Sequence, residues 1–320
     1  MLLVKYILLV FGLFGLGWSA ALVLLDLRRR EEERRREDQQ PLKIELPWYA
    51  TRAGDQDMAI LLLTSAGGSP GVTTLAVGLA LTWPRPILLA DCDPGAHQAI
   101  LAGYLGGRSP GGKGLLRVAE AHRDRRPLRE AVLDQTLPLS EEQDTRRLFL
   151  PGFSKPSSAS HFGGVWEDLA EAFDRLADVD IDVIIDCGRF GQAGPPQALL
   201  ERCALTAVVL NATLRSVMSA RVHLPVLRDH PRLNSKDRGH LGLIVVGEGQ
   251  PYGRSEIAKV LDVPMLASIA HDPQTAIHFS DGRPRHRRFD SSPLTRSIRD
   301  ASFQLSTTMQ RSAELVGGRS

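Results

Sequence analysis

The sequence predicts an α/β protein with a doubly wound, mostly parallel sheet, preceded by an N-terminal transmembrane helix. Short apolar runs of strand length alternate with helical patterns over residues 59–269. Parallel strands need long crossover connections, which helices usually supply, so this alternation favours a parallel sheet covered on both faces. A glycine-rich loop joins the first strand to the first helix, and an uncharged apolar run lies near the N-terminus.

The apolar run at the N-terminus has the length of a membrane span. From Tyr6 to Leu25 it contains about 20 uncharged, mostly apolar residues, enough for a helix to cross the hydrocarbon core. One lysine precedes it and several arginines follow, so the positive-inside rule predicts a single-pass anchor in the cell membrane over residues 1–27, with the rest cytoplasmic. The alternative is a cleaved signal peptide, with small residues at 19–21 as the cleavage site.

A charged block follows the apolar run. Residues 28–38 alternate runs of arginine and glutamate, and opposite charges three or four positions apart lie on one face of a helix. This pattern predicts a solvated juxtamembrane helix, with a site for anionic lipid as the alternative. With the linker after it, the charged segment spans residues 28–55, and residues 56–320 form one large α/β domain.

Composition limits the functions that this domain can have. The chain has 320 residues, of which 43% are hydrophobic and 24% charged, so it can bury a large core. Its formal net charge of +2 is too balanced to indicate nucleic-acid binding. The three cysteines, Cys92, Cys187 and Cys203, lack the CxxC spacing of zinc sites, which indicates reduced thiols in a cytosolic core.

The domain is organised around its glycine loop. Residues 58–64 have a strand pattern, residues 73–80 have a helix pattern, and the glycine-rich stretch 66–71 lies between them. In such a unit, glycines bring backbone N–H groups close to a phosphate, and the helix N-terminus adds partial positive charge. A hydroxyl at the helix start, from Thr73 or Thr74, can reach Mg²⁺. The alternative is a tight turn in an ordinary α/β protein.

The loop departs from the phosphate-binding pattern GxxxxGK[ST] at two positions. Val72 replaces the lysine that contacts phosphate, and Ala66 replaces the first glycine, so the loop has no cation of its own. A second stretch, residues 107–114, fits GxxxxGK but lacks the final hydroxyl. We expect it to lack the flanking strand and helix as well, and we interpret it as a flexible loop.

Two later strand patterns end in carboxylates. Residues 87–90 precede Asp91 and Asp93, and residues 181–185 precede Asp186. The carboxyl ends of parallel strands form the ligand-binding edge of a doubly wound sheet, so these acids are expected beside the loop. The alternative is that they only end their strands in turns.

The remaining patterns complete the alternation. Apolar side chains recur at helical spacing from Trp166 to Leu176, which predicts a helix over residues 165–178. By the same criteria, further strands are predicted at 146–151, 205–210, 241–246 and 264–269, and further helices at 214–227, 251–261 and from 293 to about 316. Residues 154–164, rich in serine and glycine, are predicted to form a loop.

Together and in this order, the loop and the two acidic strand ends resemble the ParA/MinD superfamily of P-loop ATPases. The sequence GSPGVTT, residues 68–74, and VVGEG followed by a tyrosine, residues 245–252, resemble a divergent branch whose loop lacks the lysine. The resemblance covers residues 59–296. It implies the P-loop fold and a bound nucleotide, ATP with Mg²⁺.

The resemblance also implies roles for individual residues. Thr73 and Asp186 would hold Mg²⁺, the aspartate through water, and Asp91 would position the attacking water. Gly247 stands where the superfamily usually has an asparagine that reads adenine. The nucleotide would contact the loop residues Gly67, Gly68, Ser69, Pro70, Gly71, Val72, Thr73 and Thr74.

The missing lysines bear on activity. The superfamily's sandwich dimers place the first loop lysine across the interface, and Gly67 stands at that position here. Losing such charge stabilisation commonly slows catalysis by orders of magnitude, so weak or no ATP hydrolysis is expected. We hypothesise that Arg189 lies near the phosphates and partly replaces the lysine, since guanidinium groups suit phosphate oxygens. The alternative is an arginine that faces solvent or pairs with a carboxylate.

The function implied by the resemblance is that of a membrane-anchored nucleotide switch in positioning or assembly. Chromosome or plasmid partitioning and envelope, pilus or secretion machinery are the settings it suggests. The expected partner is a second copy in a homodimer, or a membrane-associated assembly protein. The alternative is a pseudo-ATPase scaffold that binds no nucleotide. Nucleic acid is not an expected partner, although five basic residues cluster between Arg283 and Arg288.

Overall fold

A computed structural model describes residues 60–67, 70–107, 111–140, 146–160, 162–190, 194–231, 233 and 240–317. The predicted anchor over residues 1–27 and the charged segment over 28–55 lie outside these ranges, as do Gly68 and Ser69 of the glycine loop. Within the described ranges, no helix is both long enough and apolar enough to cross a membrane.

The described residues contain one sheet of eight strands, the seven that the sequence predicts and the two-residue strand β3, which it does not. They are β1 Ile60–Ser65, β2 Ile87–Asp91, β3 Leu137–Pro138, β4 Arg147–Leu150, β5 Asp182–Arg189, β6 Leu205–Asn211, β7 His240–Val246 and β8 Met265–Ile269. Their order across the sheet is β3-β4-β2-β5-β1-β6-β7-β8. Every neighbouring pair is parallel except β3 and β4. The predicted doubly wound, mostly parallel sheet is therefore confirmed.

Ten α-helices are described between and after these strands. They are α1 Val72–Thr82, α2 Leu115–Arg123, α3 Leu128–Asp134, α4 Pro156–Ser160, α5 Trp166–Asp174, α6 Gln197–Arg202, α7 Leu214–Arg228, α8 Arg254–Leu261, α9 Pro273–Asp281 and α10 Pro293–Gly317. A short π-helical turn spans Ile100–Tyr104. The segment predicted as a loop over 154–164 contains α4, and the helix predicted over 165–178 ends at Asp174.

The sheet separates two apolar cores. Because side chains of a strand alternate between faces, Leu62 of β1 joins a cluster with α5 and α7, whereas Leu61 and Leu63 join one with α1 and α10. Every residue of β1 and β2 is buried. Burial on both faces explains why these strands have continuous apolar sequences rather than alternating ones.

Helix α10 packs tightly against α1. A Cβ atom placed on Gly78 of α1 would lie 2.8 Å from Cδ1 of Ile298, so the two helices approach closely where the glycine has no side chain. The hydroxyls of Thr82 and Ser302 are hydrogen-bonded at 2.7 Å across the same contact. The C-terminal helix predicted from residue 293 is thus part of the domain that holds the glycine loop.

The strand order places a crevice at the carboxyl end of β1. Strand β1 lies between β5 and β6. The chain leaves β1 for β2 on one side of it, and later crosses from β5 to β6 on the other side. Ligands of open α/β sheets bind where the winding direction reverses in this way, at the carboxyl ends of the strands.

Candidate functional site

The glycine loop ends in a helix start suited to an anion. Gly71 is the N-cap of α1 and has φ 86°, a left-handed conformation that favours glycine. Because the N-cap residue is a glycine, no cap side chain accepts from the first N–H groups of α1. Val72 and Thr73 follow as the first helical residues. The structure therefore has the glycine loop followed by a helix N-terminus that the sequence analysis associated with phosphate binding.

The two acidic strand ends meet beside this loop. Strands β2 and β5 pair in parallel, and Asp91 lies directly opposite Asp186 in the register. The Asp186 carboxylate accepts a hydrogen bond of 2.9 Å from the Gly188 amide, and the nearby Thr73 hydroxyl lowers the pKa of Asp186. The start of α1 therefore lies beside β2 and β5. This brings together Thr73, Asp91 and Asp186, which the sequence analysis selected.

The environment of both carboxyls favours their protonated forms. Burial raises the pKa of Asp91 to about 8, with repulsion from Asp186 adding to the shift. Burial also raises the pKa of Asp186 to about 6, although the Thr73 hydroxyl and the Gly188 amide lower it in part. A buried acid with a raised pKa is stable in its neutral, protonated form. A bound cation would instead stabilise its ionised form.

Two glycines allow the acids to sit in this position. A Cβ atom on Gly152, just after β4, would lie 2.6 Å from Cγ of Asp91. Gly188, with φ 55°, would place a Cβ atom 2.5 Å from Cγ of Asp93. Neither glycine stood out in the sequence, because only the packed strands bring them against the carboxyls.

A cavity of about 560 Å³ is lined by part of the predicted site, whereas Gly67, Thr74, Asp186 and Gly247 are not among its lining residues. Arg189 lines this cavity together with the glycine loop and Asp91, as the sequence hypothesis requires. His97 also lines it, and its Nδ1 lies 2.9 Å from Oδ2 of Asp93. The sequence reasoning missed His97. The lining residues are Ser65, Pro70, Gly71, Val72, Thr73, Asp91, Asp93, Pro94, Gly95, His97, Gln98, Ala99, Gly188 and Arg189.

A smaller, more apolar cavity lies on the other side of the loop. It has a volume of about 250 Å³ and is lined by Thr74, Asn211 at the end of β6, Val246 and the turn after β8, among others. Gly247, the predicted base-side residue, follows Val246 with φ 73°, and its N–H donates to the Ile269 carbonyl at 2.9 Å. Its role toward a base stays a prediction. Asn211 is the amide side chain in this lining, and sequence reasoning did not select it.

The second GxxxxGK stretch differs from expectation at one flank. Helix α2 begins directly after Gly114, so the expected lack of a following helix was wrong. The preceding element is the π-helical turn, as expected, and not a strand. Lys113 Nζ donates a hydrogen bond to the Thr136 carbonyl at 2.9 Å. This bond connects the segment before α2 to the residue before β3.

Comparisons with known proteins agree with this geometry. No protein-family profile and no curated protein matches the sequence. A chain of the MinC:MinD cell division complex of Aquifex aeolicus superposes with a TM-score of 0.58 at 17% identity, over 78% of this chain and 96% of that one. A ParA family ATPase from Chlorobium tepidum gives 0.58 at 16%, over 77% and 98%. MinD of Pyrococcus horikoshii, complexed with Mg-ADP, gives 0.55 at 20%, over 77% and 94%.

These likenesses show the fold. The fold is that of the P-loop NTPases, with a mostly parallel sheet and a glycine loop between β1 and α1. Within that class it is the fold of the MinD and ParA proteins, as the sequence motifs predicted.

Proposed function

We propose that this chain binds ATP with Mg²⁺ at the β1–α1 loop and works as a nucleotide-dependent switch. The observation that carries the proposal is the position of the Thr73 hydroxyl, which lies close enough to the buried Asp186 carboxyl to lower its pKa. A loop hydroxyl held against a strand-end carboxylate is the arrangement in which P-loop proteins bind Mg²⁺. Structural neighbours include MinD with Mg-ADP and an ATP complex of McdA, which supports this choice of ligand.

The residues of the site fit both parts of this ligand. Mg²⁺ would be held by the Thr73 hydroxyl and, through water, by Asp186, and would neutralise phosphate charge. Its charge would also favour the ionised forms of Asp186 and Asp91, which burial disfavours in its absence. The phosphates would face the N-terminus of α1, and the base would occupy the smaller cavity that Asn211 lines.

Hydrolysis is proposed to be weak or absent. Val72 is buried, with 6% of its surface exposed, and it cannot provide the positive charge of a loop lysine. Gly67, the position of the other lysine, packs near Ser219 of α7: a Cβ atom there would lie 2.8 Å from the Ser219 hydroxyl. Asp91 remains in place to position water, but loop cations that would stabilise the transition state are missing.

The missing lysines at Val72 and Gly67 also favour a second candidate function. In it, the protein is a scaffold that binds no nucleotide. A loop without lysine supplies only backbone groups, hydroxyls and the helix dipole to the phosphates, and no cation. In this candidate the protein keeps the fold and acts through protein contacts alone. Affinity for nucleotide separates the two candidates, whereas hydrolysis alone does not.

In the cell, we place the switch at the membrane. The predicted anchor over residues 1–27 would hold residues 56–320 at the cytoplasmic face, where a positioning or assembly role matches the MinD, ParA and McdA neighbours. A homodimer or a membrane-associated assembly protein is the proposed partner. A tethered protein cannot diffuse over a chromosome, which favours envelope, pilus or secretion machinery over patterning on DNA.

The test is equilibrium binding of ATP, ADP and GTP to the full-length chain in nanodiscs, combined with its mass by light scattering. If the protein is a switch, it should bind ATP. The affinity for ADP, or the mass of the protein assembly with ADP bound, should then differ from the value with ATP. Absence of binding at millimolar nucleotide would overturn the switch and favour the scaffold.

A further inference from the structure

A further concave site lies between α2 and α4, here called the α2–α4 groove. It has a volume of about 460 Å³, within the range of about 300–1,000 Å³ that is usual for small-molecule sites. One wall is the face of α2 with Leu116, Ala119 and Arg123, and the other is α4 with the turn after it. No residue lines both this groove and the cavity beside the glycine loop, here called the loop cavity. The proposed nucleotide therefore does not account for the groove.

The floor of the α2–α4 groove is apolar and well packed. Phe153, Phe162 and Val165 line it and are at most 7% exposed. The rings of Phe153 and Phe162 pack edge to face with centroids 5.1 Å apart, and Trp166 packs against Phe162 at 4.6 Å. Because these rings hold one another in place, the floor has the preformed apolar character of a ligand site.

The wall formed by α2 changes from apolar to cationic along its length. Leu116 and Arg123 lie seven positions apart on this helix, which is about two turns or roughly 10 Å. Leu116 is 48% exposed at one end of the groove, and the guanidinium of Arg123 is at the other. An elongated ligand in the groove would therefore meet an apolar end and a cationic end.

Arg123 has the lining charge that is most available to a ligand. The Glu120 carboxylate already accepts a hydrogen bond of 2.7 Å from an arginine of the same helix, and His122 Nε2 lies 2.6 Å from a carboxylate of α5. Among the described residues, the one ion pair of Arg123 is an exposed contact of 4.0 Å with Asp124. Exposed pairs of this kind contribute little, so the guanidinium can turn to a carboxylate on a ligand.

We propose that the α2–α4 groove binds an elongated apolar carboxylate, of which a medium-chain fatty acid is the simplest example. The chain would lie over Phe153 and Phe162 toward Leu116, and the carboxylate would pair with Arg123. A neutral chain of the same length would gain only the apolar contacts. A chain with an ammonium group would meet a like charge at Arg123, which disfavours it.

The segment after β4 connects the groove to the acidic strand ends. Phe153 on the floor follows Gly152, where an added Cβ atom would lie 2.6 Å from Cγ of Asp91. The Phe153 carbonyl accepts a hydrogen bond of 3.4 Å from Gln98, which lines the loop cavity. A ligand that packs on Phe153 would therefore restrain a segment next to the loop cavity. An effect on nucleotide affinity rests on the proposed function, whereas binding in the groove does not.

The experiment follows amide hydrogen exchange of the full-length protein in zwitterionic nanodiscs during a titration with octanoate and without nucleotide. Two matched ligands separate the contributions: octanamide has the same chain without the charge, and acetate has the charge without the chain. At concentrations above its dissociation constant, octanoate should slow exchange by at least about threefold over α2 and residues 153–165. Exchange in α8 should stay unchanged. Octanamide should bind at least about tenfold more weakly than octanoate, and acetate should not slow exchange.

Two variants test whether the ligand occupies the groove. Ala119→Trp should fill the groove and remove the slowing by octanoate. Arg123→Glu, at a side chain 76% exposed, should keep the exchange pattern of the ligand-free parent and weaken octanoate binding by at least about tenfold. Arg221→Glu, at an exposed arginine of α7, changes the net charge equally and should bind octanoate like the parent.

Other outcomes would overturn the proposal. Equal slowing by octanoate and octanamide would remove recognition of the carboxylate, and slowing that persists in Ala119→Trp would place the ligand elsewhere. Absence of slowing, or equal slowing in α8, would show that the groove binds no such ligand. Slowing over α2 on raising the protein concentration alone would identify a second copy as the occupant. Because the titration contains no nucleotide, its result does not depend on whether the chain binds ATP.

Discussion

The hydroxyl of Thr73, at the start of α1, lies beside the buried carboxyl of Asp186 in β5 and lowers its pKa. If this pair holds Mg²⁺, Thr73→Val should weaken Mg²⁺-dependent ATP binding by at least about tenfold, since a metal site loses affinity on this scale when an oriented group is removed. Thr73→Ser, which keeps the hydroxyl, should bind within a few-fold of the parent. Calorimetry on full-length protein measures both. Equal affinity of Thr73→Val and the parent would remove Thr73 from the site.

The buried Asp91 predicts that stability falls as pH rises. Its pKa is raised from 3.8 to about 8, so between these values the folded chain binds more protons than the unfolded chain. The free energy of unfolding then decreases with pH across this window. Asp91→Asn, which does not ionise, should be more stable than the parent at pH 8, by up to about 5 kcal/mol since each unit of the raised pKa is worth about 1.4 kcal/mol, and similar to it at pH 4.

Denaturant unfolding at the two pH values measures this difference. Asp124→Asn, at an exposed aspartate, is the control and should change little at either pH. A stability difference between the parent and Asp91→Asn that does not vary with pH would contradict the raised pKa. Mg²⁺ with ATP should reduce the difference, because the cation favours the ionised carboxylate.

Restoring the loop lysine should strengthen binding. Val72 lines the cavity at the start of α1, so a longer cationic side chain there can reach the phosphates. Val72→Lys should bind ATP about tenfold more tightly than the parent, the scale of one added charged hydrogen bond. Val72→Met, similar in length but uncharged, should not. If the lysine variant gains nothing, the loop does not face the phosphates as proposed.

Arg189 and His97 are the basic side chains in the lining of the loop cavity. Arg189→Ala and His97→Ala should each weaken ATP binding about threefold to tenfold, and the loss should shrink as salt is raised. Arg123→Ala, at a side chain 76% exposed and outside the cavity, is the control. An Arg189→Ala chain that binds ATP like the parent would end the idea that Arg189 compensates for the missing lysine.

Close packing at Gly188 predicts a stability cost that does not depend on nucleotide. Gly188→Ala adds a Cβ atom 2.5 Å from Cγ of Asp93 at a φ of 55°, and should destabilise the domain by roughly 1–3 kcal/mol. Gly163→Ala, with no atom within 4 Å of the added Cβ, is the matched control. Equal stability of the two variants would mean that β5 can shift away from Asp93.

The sequence predicted the centre of this fold well, because local signals there agree with the packing. The continuous apolar runs of β1 and β5 are those of strands buried on both faces, and strand-end acids mark the carboxyl edge of a parallel sheet. The location of Asp91 and Asp186 beside the loop could therefore be predicted from sequence patterns alone. The edge was less predictable: β3 has only two residues, and its antiparallel pairing with β4 depends on tertiary contacts.

The parts of the site that sequence did not predict come from distant segments. Gly152 touches Asp91 only because β4 pairs with β2. Asn211 and His97 lie on opposite sides of the loop, each in a segment with no pattern that points to a ligand. Asparagine at a strand end and histidine in a turn are common, so their type and spacing carry little information without the fold.

The most direct measurement is ATP affinity of the full-length chain with Mg²⁺ and with a chelator, in the parent and in Asp186→Ala. A working site predicts that Mg²⁺ strengthens binding by at least about tenfold in the parent and that Asp186→Ala abolishes this gain. Binding that is absent, or that is the same with and without Mg²⁺ and unchanged by Asp186→Ala, would contradict the nucleotide switch.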